Sequence, residues 1–335
     1  MRQPTHQRFL IGDSADVGAA RRRVRELAQA LHASEDQTGR VELIVTELAN
    51  NLFRHAKPGG AILLRPVPPV GVEVIAVDRG PGIVDLDAAL AGQVATPDGL
   101  GCGLAAVRRA SSRFDAYTSP GRGTVVASAV DLRAAPVPAS HGHRVAGVSI
   151  GLDEVCGDAW AVADLDGSVS VAVVDGVGHG VYAAAAADAA LRTFALAPDD
   201  IEEFLFRAHF AMRETRGAAV AVCRLDPRQG SLRYASVGNV SGRIFAGGET
   251  RGLVSYNGTV GLHAKPPTVR LTSYPWSPGA TLVLWTDGLS RRLDLEADPD
   301  LLARDPAVVA GVLHRDYGRE RDDATVVVVS YQAAP

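Results

Sequence analysis

Cysteine is scarce in this chain of 335 residues. There are three, Cys102, Cys156 and Cys223, far apart and odd in number. Such a set excludes a disulfide framework and fits no zinc knuckle, and a reducing cytoplasm is the simpler setting. Long apolar runs are missing as well: no stretch reaches the roughly 18 residues that suggest a membrane span. The opening segment, Met1 to Leu10, is polar and lacks the apolar core of a secretory signal. No long basic run is present and the formal net charge is −4, which argues against nucleic acid as a partner. The short group Arg21-Arg22-Arg23 falls in a helical pattern and reads as a solvated face. No short-period repeat is found.

The composition that remains is globular, with 47% hydrophobic and 21% charged residues, and the length suits two domains. The stretch Arg133 to Gly147 is rich in Pro, Ala and Gly without periodicity, so it is expected to be a linker between domains spanning 1–132 and 148–335. His141 and His143 lie inside it and are expected to be solvated. Before it, apolar spacing predicts helices over Val17 to Leu31 and Glu35 to His55. Strands are expected at Ala61 to Pro66 and Val72 to Asp78, then a helix from about Leu104 and a final strand pair. Helices on one face of a mixed sheet are the natural packing. After the linker, strand-like runs at 145–152, 160–164 and 169–175 precede an alanine-rich helix from about His179 and a second helix over 199–212. Further strands are expected at 218–225, 232–237, 242–245, 281–286 and 324–330. The overall class is α+β, and the second part reads as two packed sheets flanked by helices.

Aspartates in the second part share a context. Asp175 ends the apolar run from Val171 and enters Gly176-Val177-Gly178-His179-Gly180; Asp287 ends Leu282 to Thr286 and enters Gly288. Asp158 follows Cys156-Gly157 and precedes a strand, as does the pair Asp322-Asp323. One strand-end Asp-Gly is most often a turn. Four acidic positions, each against an expected strand, ask for a cation to offset their repulsion. Oxygen ligands without a Cys or His set point to Mg²⁺ or Mn²⁺, and a pair of such ions can activate water and hold a phosphoryl group.

Glu154-Val-Cys-Gly-Asp158, Asp175-Gly-Val-Gly-His-Gly180, Thr286-Asp287-Gly288 and Arg321-Asp322-Asp323-Ala-Thr325 together resemble the successive motifs of the type 2C (PPM) protein phosphatases, in the SpoIIE/RsbU/RsbX branch, over roughly residues 145 to 332. The resemblance implies an α-β-β-α sandwich, serine/threonine phosphatase activity and two Mn²⁺ or Mg²⁺ ions. It implies that Asp175 bridges both, that the Gly176 carbonyl binds one, and that Asp158 and Asp287 are further ligands. Asp322 is preferred over Asp323 as the ligand of its pair. His179 lies near the site without an assigned part, and Ser236-Val-Gly-Asn239 matches a structural strand-turn segment outside the chemistry. No arginine is marked out to grip phosphate.

In the first part, Glu47, Asn51 and His55 fall at i, i+4 and i+8, on one face of the expected helix. Asp78-Arg-Gly-Pro-Gly-Ile83 follows a strand, Gly99-Leu-Gly-Cys-Gly103 leads into a helix, and Gly121-Arg-Gly-Thr124 opens the last strand. A glycine-rich stretch ending at a helix N-terminus is a ready phosphate site. It is not a Walker loop, because no Gly-Lys-Ser/Thr follows, and not a Rossmann fingerprint. In order, these pieces resemble the GHKL-type ATP-binding fold, an α/β sandwich, in the version of the RsbT/RsbW/SpoIIAB serine kinases, over roughly residues 10 to 130. The resemblance implies ATP with Mg²⁺, Glu47 as general base, Asn51 as Mg²⁺ ligand and Asp78 as adenine anchor. Gly82, Gly99, Gly101 and Gly103 shape the phosphate loop, and Thr124 lies near the adenine. No phospho-acceptor histidine box precedes Glu47, which argues against a sensor histidine kinase.

Together the two resemblances imply a partner-switching regulator. The substrate would be a STAS-type antagonist protein, phosphorylated by one half and dephosphorylated by the other, with a sigma-factor module as a further partner. The alternative is a phosphatase gated by an N-terminal module that binds ATP and a partner without transferring phosphate.

Overall fold

The computed structural model describes residues 1–93, 103–133, 142–268, 270–295 and 298–332. The chain separates into two compact units, His6–Val137 and Met1–Thr5 with Pro138–Pro335.

The unit His6–Val137 runs β1 (Gln7–Ile11), α1 (Ser14–Ala30), α2 (Glu35–His55), β2 (Gly60–Pro66), β3 (Gly71–Asp78), α3 (Leu86–Ala91), α4 (Gly103–Ala110), β4 (Arg113–Ser119) and β5 (Gly123–Asp131). Its strands form one antiparallel sheet in the order β1-β2-β3-β5-β4. Both long helices start where side chains satisfy the free backbone N–H groups. Asp13 with Asp16 caps α1, and Ser34 with Gln37 caps α2, each as a reciprocal box. The apolar stripe Val41, Ile44, Val45, Leu48 and Leu52 of α2 packs on the alternate strand residues Ile62, Leu64, Val72, Val74 and Ala76. Strand β1 and helix α3 have little apolar periodicity of their own and were not expected from the sequence.

The second unit runs β6 (His143–Ile150), β7 (Asp158–Leu165), β8 (Ser168–Gly176), α5 (Gly180–Phe194), α6 (Ile201–Ala211), β9 (Ala218–Asp226), β10 (Ser231–Val237), β11 (Ser241–Ala246), β12 (Glu249–Gly252), β13 (Thr272–Pro275), β14 (Thr281–Trp285), α7 (Pro299–Leu302), α8 (Pro306–Tyr317) and β15 (Ala324–Tyr331). Two antiparallel sheets result, ordered β13-β10-β9-β8-β7 and β12-β11-β14-β15-β6. Strand β8 shows why these strands read as continuous apolar runs. Val171 and Val173 point between the sheets, towards Trp160, Leu282, Leu284, Val327 and Val329. Ala172 and Val174 point the other way, onto Ala186, Ala190 and Phe194 of α5 and Phe204 of α6. With α8 against β6 and β15, the layers are helix, sheet, sheet, helix.

Two expectations change at the unit boundaries. The end of the expected linker is strand: β6 starts at His143, which is buried, accepts a hydrogen bond from Trp276 Nε1 at 2.9 Å and stacks on Tyr331. Its partners lie more than a hundred residues away, so the local Pro/Ala/Gly composition did not reveal them. His141 lies outside the described residues. The first residues belong with the second unit rather than the first. Gln3 N donates to Trp160 O and Val162 N to Met1 O, adding a short partner along the edge strand β7, whose outer backbone groups would otherwise lack one. Among the described residues, no helix is long and apolar enough to cross a membrane.

Candidate functional site

In the second unit, the pairing of β7 with β8 sets Asp158 directly opposite Asp175. Asp158 is buried and accepts a hydrogen bond from Thr286 Oγ1 at 2.7 Å. Thr286 in turn pairs with Thr325: its N–H donates to the Thr325 carbonyl, and the Thr325 N–H donates to Thr286 Oγ1, each at 3.0 Å. The strand ends of the two sheets are thus tied together at the carboxylates. Burial, then the charge of Asp175, holds Asp158 well above the ordinary carboxylate range against the pull of Thr286. Burial, then Asp287 and Asp322, pushes Asp175 up to about 7, while the Asn239 side chain pulls the other way. Asp322 is shifted up by burial and then by Asp287. Asp158, Asp175, Asp287, Asp322 and Asp323 therefore share one electrostatic neighbourhood.

Asp323 does a different job. Its two oxygens accept the N–H groups of Leu152 and Gly157, each at 2.7 Å, which fastens the loop before β7. Both members of the pair still act on the other acids: Asp322 and Asp323 each raise the proton affinity of Asp175, and Asp323 also raises that of Asp158. The glycines beside the acids are explained by packing. A Cβ on Gly176 would lie 2.2 Å from the Ala183 carbonyl oxygen of α5, and one on Gly288 would lie 1.9 Å from the Asp323 carbonyl oxygen. His179 is exposed and pairs with Asp153 through Nδ1 at 2.9 Å.

Asn239 departs from its expected structural part: its Nδ2 donates to Asp287 Oδ2 at 2.6 Å. Residues 239 and 287 are far apart in sequence and no local pattern links them, so the contact was not legible there. Arg319 also joins the site, donating to the Asp287 carbonyl oxygen at 3.2 Å.

The donor set fits a hard divalent cation, being all oxygen and strongly acidic. Two buried atoms at the centre, Asp175 Oδ2 and Asn239 Oδ1, have no hydrogen-bond partner. Orphaned oxygens beside several carboxylates are what a cation site exposes. Among the described residues, no three His, Cys, Asp or Glu side chains converge tightly enough to form a ready-made metal cage.

In the first unit, Glu47 and Asn51 face the start of α4. A Cβ on Gly103 would lie 2.8 Å from Glu47 Oε2 and 3.7 Å from Asn51 Oδ1, so a residue without a side chain is needed there. His55, the last residue of α2, is exposed. Asp78 ends β3 and accepts the Gly80 N–H at 2.7 Å. Gly82 has φ +81°, and a Cβ there would meet Ser119 O at 2.8 Å and Thr118 Oγ1 at 3.0 Å. Thr124 is buried and pairs with Thr118, their hydroxyl oxygens 3.1 Å apart. Thr118 also accepts the Ile83 N–H at 2.8 Å, which fixes the loop after Asp78. The sequence did not single out Thr118, because its part arises from the β4–β5 register. Gly123 brings Asp78 and Thr124 together: a Cβ on it would lie 2.1 Å from the Asp78 carbonyl oxygen. Gly99 and Gly101 lie outside the described residues.

Comparison with known proteins divides the chain the same way. Residues 165–332 match the family described as Stage II sporulation protein E (SpoIIE), and residues 12–130 match the Histidine kinase-like ATPase domain. Serine/threonine-protein kinase RsbT of Bacillus subtilis is 32% identical over 120 residues, covering 35% of this chain and 90% of that protein. Phosphoserine phosphatase RsbX of the same organism is 29% identical over 139 residues, covering 41% of this chain and 68% of RsbX. Among solved structures, RsbX in complex with magnesium superposes with a TM-score of 0.51 at 23% identity, covering 59% of this chain and 99% of that one. A chain from a structure described as the bacterial stressosome superposes with a TM-score of 0.51 at 28% identity, covering 56% of this chain and 98% of that one.

Proposed function

We propose a phosphorylation switch for this chain, which belongs to the SpoIIE family through residues 165–332 and carries a histidine kinase-like ATPase domain of the RsbT kind through residues 12–130. In this reading the second unit is a metal-dependent serine/threonine phosphatase. The first binds ATP with Mg²⁺ and phosphorylates a serine or threonine. Both act on a STAS-type antagonist protein. The observation that carries the phosphatase half is the facing of Asp158 and Asp175 across β7–β8, with Asp287 and Asp322 in the same electrostatic neighbourhood and an orphaned oxygen on Asp175.

Asp175, Asp158, Asp287, Asp322 and the Gly176 carbonyl are the residues proposed to hold two divalent ions, Mn²⁺ or Mg²⁺. When bound, such ions lower the pKa of a shared water and neutralise charge on a phosphoryl group. The chain's own contribution is orientation and proton binding. Thr286 fixes the Asp158 carboxylate, Asn239 fixes that of Asp287, and Asp323 holds the loop that leads into Asp158. Burial and the neighbouring carboxylates raise the proton affinity of Asp175, to a pKa of about 7, and a bound cation would oppose them by favouring the ionised carboxylate. In the first unit, Glu47 is proposed as the general base for the acceptor hydroxyl, Asn51 as the Mg²⁺ ligand, and Asp78 as the adenine anchor. Gly82, Gly99, Gly101 and Gly103 would line the phosphates, with Thr124 beside the adenine. Nucleotide binding without phosphotransfer is the outcome that selects the gating-module reading instead.

The phosphatase half is tested on a phosphorylated STAS-domain protein with Mn²⁺. Wild type should release inorganic phosphate and Asp175→Asn should lose more than about a hundredfold of that rate. Retained activity in the variant would overturn the assignment of Asp175.

A further inference from the structure

The turn after β10 is built with more care than a connecting segment requires. Gly238 has φ +104°, and a Cβ on it would lie 2.4 Å from the Cβ of Ala219. Ala219 is the residue of β9 that pairs with Asp175. The close approach of Gly238 to β9 is therefore what carries the next residue, Asn239, to the acidic centre. Two serines pin the turn: Ser255 Oγ donates to the Gly238 carbonyl at 2.7 Å, and the Ser236 and Ser255 hydroxyls meet at 2.9 Å. Gly238 N–H donates to the Tyr256 carbonyl at 2.8 Å.

At the end of this turn, the Asn239 amide faces carboxylates. Its Nδ2 donates to Asp287 Oδ2 at 2.6 Å. An amide set against a carboxylate presents its N–H and turns its carbonyl oxygen away. That oxygen, Oδ1, is buried and has no hydrogen-bond partner, as is Asp175 Oδ2. Both atoms of the amide thus have a use: one holds a carboxylate, the other is left as a neutral oxygen donor.

We infer that Asn239 is the neutral positioning residue of the acidic centre, holding Asp287 through its N–H and offering its carbonyl oxygen to the divalent cation or to water beside it. The inference rests on the metal-dependent reading of the site proposed above. An amide suits the place for an electrostatic reason. A further carboxylate would add like charge to a centre that already raises the proton affinity of Asp158, Asp175 and Asp322. An apolar residue would leave Asp287 without its donor and remove the spare oxygen. Groups that orient metal ligands commonly change metal affinity by ten- to a hundredfold when lost.

The test is Mn²⁺ binding to the full chain by titration calorimetry, together with the electron paramagnetic resonance spectrum of bound Mn²⁺. Asn239→Ala should weaken binding about tenfold or more and alter the spectrum. Asn239→Leu, close in shape and lacking both polar atoms, should do the same while keeping the turn packed; circular dichroism of the metal-free chain shows that each variant is folded. In an Asp287→Ala background, Asn239→Ala should cost less than it does in wild type, because the share that acts through Asp287 is gone and only that of the carbonyl oxygen remains. Unchanged affinity and spectrum in both folded variants, beside a wild type that binds Mn²⁺ and an Asp175→Asn variant that does not, overturn the part given to Asn239 and leave the metal reading standing. A wild type that binds no Mn²⁺ overturns both.

Discussion

Burial and the carboxylates of Asp287 and Asp322 raise the proton affinity of Asp175 until it titrates at about 7, against an ordinary value of 3.8. Between those two pH values, the folded chain keeps a proton that the unfolded chain has released. Stability therefore falls as pH rises through this window, and the penalty is fully present above pH 7. Its size is on the order of 2–4 kcal/mol. Asp175→Asn removes it. In chelator, the variant is expected to melt about 4 °C or more above wild type at pH 8, with the difference closing towards pH 4, as read by scanning calorimetry. Equal melting at pH 8 would show that Asp175 carries no such penalty. The residues of the acidic centre differ in how far the sequence exposed them. Asp175 and Asp287 were visible because each ends an apolar run and precedes glycine. Between Asp322 and Asp323 only a preference was visible, since both precede the same strand; the two backbone N–H groups that Asp323 accepts belong to residues 152 and 157 and were not legible locally. Asn239 and Thr118 were missed, because what gives each its part is a contact made by the fold rather than by its neighbours in sequence.

At the scale of elements, strand register does most of the assembly. The β7–β8 pairing brings Asp158 to Asp175, and the β4–β5 pairing brings Thr118 to Thr124. A slip of one residue in either would turn the side chain to the opposite face. Helix α2 carries Glu47 and Asn51 on a frame whose start is set by Ser34 and Gln37. Ser34→Ala removes one half of that box and should cost about 1 kcal/mol. Hydrogen exchange of the amides in the first turn of α2 is expected to quicken by about fivefold, with exchange in β8 unchanged. Unaltered exchange in α2 would mean that the cap contributes nothing. The helices α1, α2, α5 and α6 were legible from apolar spacing and the long strands from continuous apolar runs. The short strands β1, β12 and β13 and the helix α8 were not foreseen. β1 gains its place by pairing with β2, and β13 by pairing with β10. In α8 almost every residue is buried, so it lacks the one-sided stripe that marks a surface helix.

For the whole molecule, both fold classes were legible, because two sets of ordered motifs fell on separate stretches of chain. The boundary was less so. His143 belongs to β6 and Met1–Thr5 to the second unit, placements set by Trp276 and Tyr331 in one case and by the edge of β7 in the other. Two such sites on one chain would have a kinetic consequence. If both units act on the same partner, wild type sets a steady level of phosphorylation and each site alone drives it to one extreme. The most direct measurement is the time course of phosphate on a cognate STAS-domain protein incubated with ATP, Mg²⁺, Mn²⁺ and the full chain. The proposed switch predicts that Asp175→Asn lets the phosphorylated protein accumulate above the wild-type level and that Glu47→Ala yields none. Equal phosphorylation by wild type and both variants would contradict it.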